Sequence, residues 1–377
     1  MKYTSGSPFF TESDINDILY KAKKIFYGEE FFTKGSEVKS FEKLFSEYVG
    51  TKHGVAVNSG TSALEIALKT IEVTSGDEVI VPVQTFVSTG SCVVNNSATP
   101  VFCEIDENYL LDIEDLKLKI TNKTKAVIIV HFCGLIHPSI FEIRDYLKDR
   151  NIILIEDAAH AHGATINDIF AGNIGDFGCF SFYSTKIMTT GGEGGLITIN
   201  DDNYYELCAS IGSIGIDNKS TDEIYSHAGS NNRMTEIQAI IGISQLKRLE
   251  SFVKHRIGLA EIYKKKLSGL RNTEIINFQN FPENIRHSYW KFLIILNGKN
   301  INRDEIRNKM RRNNISVDWP YQPLLHLQPI FRERYGIDHG YLSKSENLAQ
   351  RHLCLPLHLN IKARDAEYIA DKFIECF

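Results

Sequence analysis

Apolar residues along this chain fall at two spacings, and the two alternate. Residues 12–27 place apolar side chains on one helical face, and Val38, Phe41, Phe45 and Tyr48 repeat that spacing after Gly35, with Gly50 as a stop signal. Val55–Val57 then predicts a strand, Leu64, Ala67, Leu68 and Ile71 a helix from Ala63, and Val79–Val81 a strand ended by Pro82. Phe86–Asn96 reads as a helix, Val101–Ile105 as a strand, 112–120 as a helix, 125–131 as a strand and 139–149 as a helix. Three more apolar runs, Ile152–Ile155, Cys179–Tyr183 and Leu196–Ile199, predict further strands. Strands separated by helices imply βαβ units and a mostly parallel sheet covered on both faces. Runs such as Val127–Val130, with no polar alternation, fit strands buried on both sides.

After Asn231 the pattern changes. Met234, Ile237, Ile240, Ile241, Leu246, Leu249 and Phe252 keep a helical period, which predicts one or two long helices up to Leu267 with possible bends at Gly242 and Gly258. Beyond them come a strand at 289–296, a basic helix at 302–313, a short strand region at 352–359 and a closing helix at 365–375. The expected organisation is a large α/β domain over residues 1–250 and a smaller α+β domain over residues 251–377. The basic run Lys309–Arg312 is read as a solvated face.

Composition adds exclusions. Of 377 residues, 43% are hydrophobic and 24% charged, which is ordinary for a globular chain able to bury a rigid core. A net charge of −5 argues against nucleic acid as the main partner. No window approaches the ~20 apolar residues of a membrane helix, so no membrane partner is expected. The start, MKYTSGSPFFTESD, lacks an apolar signal core, and the expected location is the cytoplasm. Seven cysteines without a C-x-x-C predict buried free thiols. His160 and His162 stand two apart, which is not the spacing of a helical zinc motif, so no metal is expected.

The chemistry concentrates between Asn151 and Asn200. One strand ends on Glu156-Asp157 and the next on Ser184-Thr185-Lys186, followed by the cluster Gly191–Gly195. Ligands of open α/β sheets bind at the carboxyl ends of the strands. A lysine held in a dry site loses part of its basicity and can attack an aldehyde as the free amine. Glycines beside it would let the backbone come close to a ligand. Upstream, Asn58-Ser59-Gly60-Thr61-Ser62 joins a strand to a helix. Free N–H groups and the hydroxyls of Thr61 and Ser62 would make a phosphate cradle there. An ordinary helix cap accounts for the same residues equally well.

The segments EDAAHAHGA, GDFGCFSFYSTK and GGEGGLITIND resemble the core of the DegT/DnrJ/EryC1/StrS sugar aminotransferases, pyridoxal phosphate enzymes of fold type I. The likeness runs from about Gly35 to the end and is densest between Val55 and Arg233. It implies that Lys186 carries pyridoxal phosphate as a Schiff base. It makes Asp157 the partner of the ring nitrogen, with Glu156 pointing the other way as strand alternation requires. It puts His160 near the ring hydroxyl, Phe86 against the ring face, and Gly60, Thr61, Ser62 and Ser181 at the phosphate. Asn231 would reach the phosphate of a neighbouring subunit, which implies a homodimer with shared sites. His287–Trp290 and Pro320–His326 fit the family in outline, without assigned contacts. A dehydratase branch has histidine where this chain has Lys186, so amine transfer is the expected reaction.

The function implied is transfer of an amino group from glutamate to a keto-sugar. That sugar would be nucleotide-linked, with pyridoxamine phosphate between two half-reactions, in surface polysaccharide or related biosynthesis. One alternative acceptor is a small keto-phosphate such as dihydroxyacetone phosphate. A second alternative is a non-catalytic pyridoxal phosphate-binding regulator, although no basic DNA-reading region accompanies the domain. A dehydrogenase is disfavoured, because no G-x-G-x-x-G follows the first strand.

Overall fold

The computed structural model describes residues 2–217, 219–298 and 301–377. Two helices open the chain, α1 (Glu12–Phe26) and α2 (Ser36–Val49). Thr11 starts α1 with a reciprocal capping box to Asp14, and Gly50 ends α2 in the left-handed conformation at φ 85°. The central sheet follows. Its strands are β1 (His53–Val57), β2 (Glu78–Pro82), β3 (Thr99–Cys103), β4 (Thr124–Val130), β5 (Ile153–Asp157), β6 (Phe177–Ser181) and β7 (Gly195–Ile199). Their spatial order is β1-β7-β6-β5-β4-β2-β3. Every neighbouring pair is parallel except those of β7, which runs antiparallel to both β1 and β6. The helices α3 (Gly60–Thr70), α4 (Ser88–Asn95), α5 (Ile113–Lys119), α6 (Ile140–Lys148) and α7 (Asp202–Gly212) flank it. Fold and topology are those of a mixed α/β protein with a mostly parallel seven-stranded sheet.

Two local expectations need correction. The helix after β2 begins at Ser88, not Phe86. The N–H groups of Thr89 and Gly90 turn back onto the carbonyls of Phe86 and Val87, which leaves Phe86 in the loop with 52% of its surface exposed. The long helical run after Asn231 is two helices, α8 (Glu236–Leu246) and α9 (Leu249–Lys266), and the break falls at Lys247-Arg248 rather than at a glycine. Gly242 serves packing instead. A Cβ there would lie 2.8 Å from the Phe41 ring, so its absence lets α8 close on α2. The glycines after Lys186 also act within the protein. A Cβ on Gly195 would lie 2.3 Å from the Ser59 carbonyl oxygen, so Gly195 lets β7 pass directly behind the β1–α3 turn.

Helix α9 runs from one core into another. Leu249, Phe252 and Val253 pack in the main core, while Leu259, Ala260 and Tyr263 pack in a second one with Phe292, Ile294, Met310 and Phe373. That second core covers a small antiparallel sheet of Ile276–Phe278, Phe292–Leu296 and His352–Leu355. Tyr3, from the other end of the chain, joins it.

Strand alternation at the end of β5 separates two carboxylates. Glu156 is fully buried and accepts from His131 Nε2 at 2.8 Å and from the N–H groups of Gly172, Ile174 and Gly175 at 2.9, 2.7 and 2.7 Å. Burial alone would raise its pKa, but the His131 and backbone hydrogen bonds win and hold it low. Glu156→Ala would strand four buried donors. Removing one partner of such a buried group costs about 3–5 kcal/mol. Denaturant unfolding should show that loss, and a change below about 1 kcal/mol would contradict this account of the loop.

Candidate active site

The carboxyl ends of β5 and β6 and the start of α3 open into one cavity of about 550 Å³. Gly60, Thr61, Phe86, Asp157, His160, Ser181 and Lys186 all line it. Ser62 and Asn231 do not. The Ser62 hydroxyl donates to Asn58 Oδ1 at 2.6 Å and its N–H donates to Ser59 Oγ at 3.1 Å, so both polar groups turn inward. Ser59 takes its place on the wall. Asn231 is exposed and pairs with Ser213 in an isolated antiparallel bridge.

Asp157 is held from two sides. Its Oδ2 accepts from Thr89 Oγ1 at 2.9 Å, and its Oδ1 from the Ala159 N–H at 3.2 Å. Thr85 Oγ1 lies 2.7 Å from Thr89 Oγ1 and steadies it. Burial raises the pKa of this carboxyl, against the opposing pull of the Lys186 charge. Lys186 is shifted the other way, down to about 8, with burial as the main cause. Asp157 works against that shift and the Lys291 charge adds to it. The Lys186 Nζ stands 4.7 Å from the centre of the Trp290 ring.

The sign of the Lys186 shift gives a test. Below about pH 8 the group holds its proton and cannot attack; above it the free amine dominates. An unperturbed lysine would reach that point only near ~10.4. In cofactor-free protein, the rate of colour formation on adding pyridoxal phosphate should therefore rise with pH and level off above about 8. A rate still climbing steeply through pH ~10 would count against a perturbed amine.

His160 lies flat on Trp290, with ring centres 3.7 Å apart and planes inclined by 12°. Its Nε2 is 2.8 Å from the Tyr321 hydroxyl, and its buried Nδ1 finds no partner among the described residues. Burial, with the nearby charge of Lys186, pushes its pKa well down, so the ring is neutral. At the other end of the cavity Ser59 caps α3, while the N–H groups of Gly60 and Thr61 find no acceptor among the described residues. Thr61 Oγ1 is 2.7 Å from Ser88 Oγ. Gly60 is required here, since a Cβ would come 2.8 Å from the Ser181 Cβ.

These parts fit a phosphorylated pyridine aldehyde. Free N–H groups at a helix start suit a phosphate. A buried acid suits a ring nitrogen. The exposed Phe86 ring offers a flat apolar face, and one amine stands ready for an aldehyde. Sequence reasoning missed Ser59, Thr89, Trp290, Lys291, Asp318 and Tyr321 as wall residues or supports. No local period pointed to them: Thr85, which steadies Thr89, lies outside both the predicted and the observed helix.

An amine and an acid meeting in one cavity, at the sheet's carboxyl edge in this topology, define a pyridoxal phosphate-dependent aminotransferase. The chain belongs to the DegT/DnrJ/EryC1/StrS aminotransferase family, whose model matches residues 13–374, starting earlier than the motifs suggest. It is 33% identical to GDP-perosamine synthase of Escherichia coli O157:H7, covering 92% of this chain and 91% of that one. It is 30% identical to the dTDP-3-amino-3,4,6-trideoxy-alpha-D-glucose transaminase of Micromonospora megalomicea subsp. nigra, with 92% and 91% covered. The X-ray structure of an aminotransferase from Psychrobacter cryohalolentis superimposes with a TM-score of 0.91 over 99% of this chain and 98% of that one, at 26% identity.

Proposed function

We propose that this enzyme moves an amino group from glutamate to the ketone of a nucleotide-linked sugar. The observation that carries the reading is that Lys186 and Asp157 line one cavity, where burial shifts both groups toward neutrality.

 
Each group therefore needs a ligand to complete it. The nucleotide-linked acceptor is supported by the relatives named above, whose products are GDP- and dTDP-linked amino sugars, over a small keto-phosphate.

When bound, pyridoxal phosphate supplies the carbonyl that takes up the amine and a ring that draws electrons from the reacting carbon. The chain's own residues do the rest. Gly60, Thr61 and Ser181 hold the phosphate, and Asp157 keeps the proton on the ring nitrogen. Neutral His160 offers one ring nitrogen to the ring hydroxyl. Phe86 covers one face of the ring and keeps water off it. Lys186 Nζ, as the free amine, would take the proton from the α-carbon of glutamate and deliver it to the carbonyl carbon of the cofactor, acting as base and then acid. The same amine works in reverse on the sugar.

A second copy of the chain completes this reading. Asn231 stands outside the cavity and exposed, which supports a role in a neighbouring copy's site. Light scattering on the purified enzyme should give twice the chain mass. Among the described residues no helix is long and apolar enough to cross a membrane, and no acidic, histidine or cysteine cluster could hold a metal. The experiment for the whole reading is direct. The purified holoenzyme should be yellow, bleach with glutamate as 2-oxoglutarate forms, and regain colour with a GDP- or dTDP-linked keto-sugar but not with dihydroxyacetone phosphate. No bleaching with glutamate would sink it.

A further inference from the structure

The cavity holds a second lysine, paired with a carboxylate, that this reaction scheme does not use. Lys291 and Asp318 both line it. Lys291 is nearly closed off, with 6% of its side chain exposed, and its Nζ donates to Asp318 Oδ2 at 2.9 Å and to the Ser5 carbonyl at 3.0 Å. Asp318 keeps 35% of its side chain exposed, while its Oδ1 is itself buried in the wall and accepts from no group among the described residues. Its backbone is pinned to Cys354, whose N–H donates to the Asp318 carbonyl at 2.7 Å. The two lysines share one indole. Lys186 Nζ lies 4.7 Å and Lys291 Nζ 5.2 Å from the centre of the Trp290 ring. Asp318 thus lines the same cavity as the reacting amine.

An ionised carboxylate can only accept, and it offers roughly four acceptor positions. Lys291 fills one. Whatever faces Asp318 must therefore donate. The carboxylates of glutamate and the phosphates of a nucleotide cannot, and Asp318 repels both. A hydroxyl of a sugar ring can. Lys291 sets the charge of this spot near neutral and fixes the carboxylate's position, so the spot selects a neutral donor without repelling an anionic sugar nucleotide as a whole. We propose that Asp318, held by Lys291, accepts a hydrogen bond from a ring hydroxyl of the acceptor sugar and so sets which keto-sugars are aminated. Lys291 is the positioning residue of this pair. The inference rests on the sugar aminotransferase reading above.

The test measures the two half-reactions of the holoenzyme separately, by the cofactor's absorption. Glutamate drives one. The other is driven by whichever of a set of GDP- and dTDP-linked keto-sugars reacts fastest, and by its analogue lacking the hydroxyl beside the ketone. A site built to bind a hydroxyl rejects the deoxy analogue by up to about 10⁴-fold. Asp318→Ala should lower kcat/KM for the hydroxylated acceptor at least about 100-fold more than it lowers the glutamate half-reaction, and should erase most of the preference over the deoxy analogue. Asp318→Asn leaves an accepting oxygen for Lys291 and carries the same comparison if the alanine variant does not fold; its preference should shrink at least about 10-fold. An equal loss in both half-reactions, or an unchanged preference in the variants, overturns the proposal. Failure of glutamate to bleach the unmodified enzyme would instead overturn the aminotransferase reading itself, whatever Asp318 does.

Discussion

Replacing Lys186 with alanine should stop turnover while leaving the cavity able to take up pyridoxal phosphate. Two losses combine in that variant. In the proposed scheme the amine that attaches the cofactor is gone, and so is the group that carries the proton from the donor's α-carbon. Proton transfer by a positioned side chain is alone worth about 10²–10⁴-fold, so a fall of at least about 10⁴-fold is expected from both. Binding should survive, because the phosphate end and the ring-nitrogen acid lie on other elements. The first is built by the α3 turn and Ser181, the second by Asp157 with Thr89 and Ala159. Cofactor absorption after gel filtration would measure retention, and 2-oxoglutarate formation would measure turnover. A variant within about 10-fold of the unmodified enzyme would rule out Lys186 as the working amine.

How much of this was legible in the sequence depends on the distance over which the signal acts. The amine and the acid each close a single apolar run, Lys186 just beyond β6 and Asp157 on the last position of β5, and adjacent parallel strands bring such ends together. Their pairing could be read from order alone. The reversal of β7 could not, because a fully buried strand shows the same apolar run in either direction. The cap was ambiguous for a related reason. Ser59, Thr61 and Ser62 are interchangeable as residue types, and only the backbone at the helix start decides that Ser59 and Thr61 face the cavity while Ser62 turns to Asn58. The wall made by Ser5, Trp290, Lys291, Asp318 and Tyr321 was the least legible part. These residues come from three distant segments, and no local period records that they meet. Phe86 lies between these cases. Its apolar character fits a helix face, and the turn at Phe86 and Val87 leaves it in the loop beside the cavity.

Asp157→Asn should keep the shape of the site and lose most of its activity. The amide oxygen can still accept from the Ala159 N–H, and its NH2 group can donate to the Thr89 hydroxyl, which is able to accept, so the fold around it has no new gap. What it lacks is the negative charge that, in the proposed scheme, keeps a proton on the ring nitrogen, and loss of one such electrostatic partner costs about 10²–10³-fold. A second effect distinguishes this cause from damage to the fold. In the unmodified protein Asp157 favours the charged form of Lys186, partly offsetting the burial that brings that amine down to about 8. Without the carboxylate the ammonium loses its counter-charge, so the pKa of Lys186 should fall further. The pH profile for colour formation in cofactor-free protein should then move to lower pH, with more free amine at neutral pH, while turnover collapses. Faster capture of the aldehyde with slower catalysis is a combination that a misfolded cavity does not give. A profile that stays in place or moves to higher pH would show that the charge of Asp157 is not felt at Lys186, and the two groups would not form one site.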